Sequence, residues 1–253
     1  MENIITYVYH SCYSVETKDL FIVFDYYKGK LNIPEDKEVI FISTHSHLDH
    51  YTSEILKLPN MEKMTYILSS DIGKLSNDEN IFYIKNNKVS IEQLKSLYSS
   101  TNVHFVKKDK VYKIKLVSGK IIDIKTFGST DKGISILVNI DDSNIFHAGD
   151  LNYWAWPDND QFTMEKEYSD FIREVNKIKN IDICFFPLDN RLHENYYKGA
   201  DIFINCVKPK IFFPMHFTSH EEISSKFKKE HNYEFTDVRE ITKENQRIEI
   251  FNK

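Results

Sequence analysis

The chain has 253 residues, 41% hydrophobic and 28% charged, with a formal net charge of -5 at pH 7. That acidic balance argues against a nucleic-acid partner, whose binders draw affinity from a basic face that releases counterions, and no apolar run approaches the roughly 18 residues of a membrane span. A start without a basic n-region and three widely spaced cysteines, with Cys184 and Cys206 inside apolar runs, lead us to expect a cytoplasmic protein with reduced thiols, built as one domain over 1–253.

Residues 4–9 and 13–17 read as strands around a polar break at His10-Ser11, and residues 20–24 form an apolar run that stops at Asp25. A carboxylate at a strand end either fixes the tautomer of a ligand histidine or caps the next turn. Residues 39–43 read as a buried strand that empties into Thr44-His45-Ser46-His47-Leu48-Asp49-His50. His45 and His47 are two apart, so in extended backbone their rings point the same way and can meet one cation. Asp49 and His50, past the turn, can meet a second beside it.

Further along, residues 65–69 and 103–106 read as strands, 90–99 as a short helix, and 111–116 with 120–126 as a hairpin turning at Ser118-Gly119. Strands are expected at 134–140 and at 145–148, the latter ending in Gly149-Asp150. His147, inside that apolar run, reads as a buried, hydrogen-bonded residue. Residues 164–178 have helical spacing, 181–186 form a strand ending near Asp189 and Arg191, and 196–207 form a helix. Residues 211–213 form a strand running into His216, followed by a helix near 219–231 and two short strands. Ligating side chains thus fall at strand ends. An α+β, four-layer αββα sandwich of two mixed sheets with helices outside would gather those ends on one rim.

Taken together, His45-x-His47-x-Asp49-His50, then Gly149-Asp150, then His216 resemble the metallo-β-lactamase superfamily of metal-dependent hydrolases over nearly the whole chain. The resemblance implies that His45 and His47 bind one metal, that Asp49, His50 and His216 bind a second, and that Asp150 bridges them. His10-Ser11 and Phe24-Asp25 are similar to the branch that includes the L-ascorbate-6-phosphate lactonase. There is one departure. The family supplies a third histidine to the first metal from a loop that here reads Phe127-Gly128-Ser129-Thr130-Asp131-Lys132-Gly133 and has none. An oxygen from Ser129, Thr130 or Asp131 is the available substitute, and the two sites should bind with unequal affinity.

The expected cofactor is a divalent cation, zinc first and manganese or iron as alternatives, at one or two ions per chain. Such a cation brings a bound water's pKa toward about 7, so the implied activity is hydrolysis by metal-bound hydroxide, with Asp49 and Asp150 as the catalytic carboxylates. The substrate expected is a small anionic or ester-like metabolite: a phosphodiester, lactone or thioester. An RNA-processing nuclease and a metal-binding protein without catalysis are the competing readings. Near the metals, His10, Trp154, Asp189 and Arg191 are the candidate substrate residues. Tyr153, Trp154 and Trp156 form either an apolar wall or core, and Arg191 either clamps an anion or pairs with Asp189 at the surface.

Overall fold

Period-two alternation in the central strands decides the layering. In β3 (Leu20–Phe24), Leu20, Ile22 and Phe24 enter one apolar cluster while Phe21 and Val23 enter another. In β4 (Glu38–Ser43), Ile40 and Ile42 follow the first set and Val39 and Phe41 the second. Successive side chains of a strand point to opposite faces, so both faces of this sheet are covered and a one-residue slip would exchange them. Each fully buried side chain of this size contributes about 1.5–3 kcal/mol.

The structure, a computed structural model, describes residues 2–72, 81–84, 87–90, 102–156, 160–178, 180–217 and 219–251. Besides β3 and β4, the first sheet contains β1 (Glu2–Tyr9), β2 (Cys12–Glu16), β5 (Met64–Ser69), β8 (Val103–Val106) and β16 (Gln246–Phe251), in the order β16-β1-β2-β3-β4-β5-β8. A separate pair, β6 (Ile81–Ile84) and β7 (Asn87–Ser90), lies between β5 and β8 in sequence. The second sheet holds β9 (Val111–Lys115), β10 (Ile121–Phe127), β11 (Ser135–Ile140), β12 (Ser143–His147), β13 (Ile183–Pro187), β14 (Ile211–Met215) and β15 (Asp237–Val238). Its order runs β15-β14-β13-β12-β11-β10-β9. Both sheets are mixed: β3, β4, β5 and β8 are parallel in the first, and β12 to β15 in the second.

The inner faces meet in one core, where Ile22 and Ile42 join Ile124, Ile136 and Phe185. β13 is buried at every position, as a parallel strand covered on both faces must be. Outside the second sheet lie α1 (Gln161–Val175) and α2 (Lys198–Val207), which pack on each other and on β10 and β13 respectively. α3 (Glu222–Glu230) buries Ile223 and Phe227. Among the described residues, the outer face of the first sheet is covered by short 3-10 turns such as Ser53–Lys57, which buries Ile55 and Leu56. The helix expected at 90–99 lies outside the described residues, apart from Ser90, which ends β7. α1 begins a turn earlier than its apolar spacing indicates because the Asp160 side chain accepts from the Phe162 amide and caps it.

Candidate metal centre

Three strands from each sheet feed the same rim: β1 leads to His10, β3 to Asp25, β4 to the histidine loop, β12 to Asp150, β13 to Asp189 and β14 to His216. The root of the histidine loop is clamped before its first ligating type. The Thr44 amide and hydroxyl donate to the two oxygens of Asp25, each at 2.7 Å, and the Ile134 amide donates to Thr44 O at 3.1 Å. Beyond it, the Ser46 amide donates to Asp71 Oδ2 at 2.9 Å, and the His50 and Tyr51 amides close the turn on His47 O. Gly133 lies against this loop at φ +75°, where a Cβ would fall 2.2 Å from Thr44 O and 2.4 Å from His45 Cβ. Only glycine permits that approach.

Two groups of donor atoms result. Those of His10, Asp49, His50 and His216 lie within 4.8 Å of one another, as do those of His45, His47 and Asp150. Asp150 stands between the groups. Its Oδ1 is 3.0 Å from His50 Nε2 and 3.3 Å from His216 Nε2, and its Oδ2 is 3.2 Å from His45 Nε2 and 3.8 Å from His47 Nδ1. One carboxylate oxygen per group is the arrangement a bridging ligand needs.

The rings are aimed by their far nitrogens. His50 Nδ1 donates to Asp25 Oδ2 at 2.7 Å and His216 Nδ1 to Asp189 Oδ2 at 3.1 Å. The one hydroxyl proton of Thr44 goes to Asp25, so His45 Nδ1 donates to Thr44 Oγ1 at 3.0 Å, which leaves a lone pair on Nε2 toward the centre. His50 Nε2 and Asp150 Oδ1 are buried and face each other without a hydrogen bond of acceptable geometry. Buried polar atoms of that kind are rare unless something else satisfies them. Imidazole nitrogens and carboxylate oxygens converging so tightly fit a divalent cation.

Electrostatics agree with a site built around positive charge. Burial works against ionised Asp150, yet His50 and His216 hold its carboxyl well below the usual range. Burial likewise opposes a charged His50, but Asp150 and Asp25 hold it well above the ordinary imidazole value; His216, with the same opposition, is raised to about 9 by Asp150 and Asp189. A cation would replace those protons.

Of the expected residues, His45, His47, Asp49, His50, Asp150 and His216 come together, with the His50 and His216 ring centroids 5.6 Å apart. His10, read from the sequence as a substrate residue, stands in the donor group: its Nε2 is 3.3 Å from Asp49 Oδ2, and its ring lies 4.2 Å from that of His216. Asp25 fixes a histidine and clamps Thr44 at once. His147 donates to Ser11 O at 3.0 Å and accepts from the Gly149 amide at 3.1 Å, holding the turn that presents Asp150. Asp71 was not singled out by the sequence; its only signal was a position just beyond the end of β5.

Above the donors opens a cavity of about 420 Å³, lined by His47, Asp49, Asp150 and His216 at its floor and by Thr130, Asp131, Trp154, Trp156, Met164 and Arg191 around it. In the loop that lacks the third histidine, Thr130 Oγ1 donates to Asn152 O at 2.6 Å and accepts from the Asn152 amide at 2.9 Å, so its hydroxyl is spent. Ser129 Oγ accepts from the Asp131 amide. Asp131 is exposed and lines the cavity, although its carboxylate is outside the group formed by His45, His47 and Asp150. Trp154 is buried and donates through Nε1 to Asp150 O at 2.9 Å, while Trp156 lies parallel to it at 5.9 Å. The wall is therefore also core. Arg191 pairs with Asp189, which is buried and not at the surface as expected, and at the same time lines the cavity.

The profile of the Beta-lactamase superfamily domain matches residues 4–216. The UPF0173 metal-dependent hydrolase YtkL of Bacillus subtilis is 24% identical over 234 residues, 85% of this chain and 86% of that protein. Among solved structures, Igni18, a metallo hydrolase from the archaeon Ignicoccus hospitalis, superposes with a TM-score of 0.66 at 16% identity over 100% of both chains. The metallo-beta-lactamase fold protein YhfI from Bacillus subtilis gives 0.59 at 13% identity, over 98% of this chain and 99% of its own. The structural likenesses establish the fold, and with a profile match that spans most of its length and the donor sets described above, the chain belongs to the beta-lactamase superfamily.

Proposed function

We propose that this chain is a single-domain metallo-hydrolase that cleaves a small anionic or ester-like metabolite, a phosphodiester, lactone or thioester, with zinc as the first choice of metal and manganese or iron as alternatives. The observation that carries this reading is the shared carboxylate of Asp150 between two donor groups at the floor of an open cavity of about 420 Å³. That volume suits a small molecule, and the net charge of -5 argues against a polyanion such as RNA. The standing of His10 and Asp25 in the centre supports the branch that includes the L-ascorbate-6-phosphate lactonase, since those residues carried that resemblance. No helix among the described residues is long and apolar enough to cross a membrane, and the cysteines are free, which supports a cytoplasmic location.

Held by His10, Asp49, His50 and His216 or by His45, His47 and Asp150, a divalent cation would supply the acidity that activates a water near neutral pH and the charge that polarises a carbonyl or phosphoryl oxygen. The chain's own groups do the rest. Asp49, with its side chain 45% exposed at the cavity floor and one oxygen against His10, is placed to take a proton on its carboxylate and pass it to the leaving group. Asp150, almost wholly buried, orients the reactants between the two donor groups. Asp25, Asp189 and Thr44 keep His50, His216 and His45 in fixed tautomers. Trp154 and Trp156 shield one side of the cavity from water.

The test pairs metal content with turnover. Purified protein should carry one or two ions per chain by elemental analysis and should hydrolyse at least one of bis(p-nitrophenyl) phosphate, a simple lactone or an acyl thioester. Activity should vanish with chelator and return with zinc or manganese. Stoichiometric metal without turnover of any of the three would favour a metal-binding protein instead.

A further inference from the structure

One wall of the cavity pairs a cation with aromatic surface. Arg191 Nε donates to Asp189 Oδ1 at 2.9 Å, its Nη2 to Asp189 Oδ2, and its backbone amide to Asp189 Oδ1 at 2.9 Å. The guanidinium carbon lies 5.4 Å from the ring centroid of Trp156, which stacks on Trp154. The arginine side chain nevertheless remains 62% exposed and lines the cavity.

We propose that Arg191 is the anion-recognition residue of this site: its outer edge binds an oxyanion, carboxylate or phosphate, carried by the substrate away from the bond that is cleaved, while the connecting carbons lie against Trp154 and Trp156. The proposal rests on the hydrolase reading and narrows it. A guanidinium carries five N–H donors in a rigid fork. Asp189 takes Nε and one hydrogen of Nη2. Among the described residues no hydrogen bond engages Nη1, so the edge formed by Nη1 and the other Nη2 hydrogen has the spacing of a bidentate oxyanion.

An ordinary surface ion pair differs from this one in three respects. Its acid is exposed, whereas Asp189 is 1% exposed and also receives His216 Nδ1, which fixes Arg191 relative to the donor groups. A surface pair leaves both side chains free to wander, whereas here three hydrogen bonds and an indole face hold the arginine before any ligand arrives, which lowers the entropy lost on binding. And its charge is directed at water, not into a cavity with a reactive floor. The cavity also contains Asp49, Asp131 and Asp150, so an anion should bind well only once cations offset those carboxylates.

Both tryptophans of the chain lie in this wall, so tryptophan fluorescence, excited to the red of tyrosine absorption, reports on it. Zinc-loaded protein would be titrated with glutaramate as the carboxylate, n-butyl phosphate as the phosphate and uncharged glutaramide as control, and the metal-free protein with the same compounds. At least one anion should give a saturable change that glutaramide does not, weaker without zinc, and the tighter anion identifies the class. Arg191→Gln should weaken that anion at least tenfold, and Arg191→Lys, which keeps the charge but not the fork, by an intermediate factor. Far-UV circular dichroism and zinc content check both variants, and the lysine variant carries the comparison if the glutamine one misfolds. Equal affinity in wild type and variants, equal binding of glutaramide, or no binding of either anion to the wild type overturns the proposal. The readout is binding alone: arginine-dependent binding without ester turnover would sink the hydrolase reading only, and turnover with arginine-independent binding would sink this inference only.

Discussion

The backbone amide of His216 donates to the carbonyl of His10 at 2.9 Å, and their rings lie 4.2 Å apart. This contact joins the ends of β14 and β1, strands of different sheets, at the point where the donor groups meet. Both residues have positive φ, 54° at His10 and 71° at His216, a region that costs non-glycine residues on the order of 1–3 kcal/mol. The two strand ends are bent toward each other where the chemistry requires it.

This geometry groups His10 with the candidate metal donors; if it binds the ion, replacing it by alanine should lower the affinity of that site by about 10- to 100-fold, the loss typical of even an indirect ligand partner. Competition with a chromogenic chelator measures it. Unchanged metal affinity with a raised KM would return His10 to the substrate role its sequence context suggested.

The two sites should empty in sequence. His10, Asp49, His50, His216 and a share of Asp150 could hold one ion, and His45, His47 and the other share a second. Dialysis against chelator should take occupancy from two ions to one before the last ion leaves. Asp131→His, which supplies an imidazole from the loop without breaking the Thr130–Asn152 clasp, should raise the weaker site's affinity by tenfold or more, and Thr130→His should do so less well. Two ions leaving together from the wild type would show that the loop already completes the site.

Asp25→Asn keeps the shape but removes the charge that holds His50 and His147 and accepts from Thr44. Metal affinity should fall about 10- to 100-fold, with the fold retained by near-UV circular dichroism. An unchanged affinity would reduce Asp25 to a turn cap.

The metal-free protein should be most heat-stable near pH 6.5. His216 and His50 have raised values, to about 9 for His216, so their contribution is complete below 6.5 and is lost as pH climbs through 9. His10, lowered to about 4 by burial, and His147, lowered by the same cause, stay neutral in the fold while the unfolded chain takes up protons, so stability also falls as pH drops below 6.5. Each proton exchanged changes stability by at most about 1.4 kcal/mol per pH unit. In the zinc-loaded protein the alkaline decline should disappear, because the cation stands where those protons stood. Scanning calorimetry from pH 5 to 10 with and without zinc measures both.

Most of the fold was legible because strands buried on both faces write themselves as unbroken apolar runs, as in Leu20–Phe24 and Ile183–Pro187. The histidine loop was legible because its residues are adjacent. What was not legible depends on closure of the two sheets. His10 joins the candidate donor group only when β14 brings His216 beside it, and Asp71 pins Ser46 from a strand end that carries no other sign. Thr130 offers an oxygen in sequence that Asn152 takes in space. For Arg191, pairing with Asp189 and facing the cavity turned out to be the same geometry.

The split origin of Asp150 and its neighbours also orders events during synthesis. His45, His47 and His50 leave the ribosome early, whereas Asp150 and His216 follow much later; at about 5–20 residues per second the gap is on the order of ten seconds. Through that interval the nascent chain displays His45, His47, Asp49 and His50 without the shared carboxylate of Asp150 and with no second sheet to enclose them. The donor group that includes His216 can be assembled only after β14 has emerged and paired with β13.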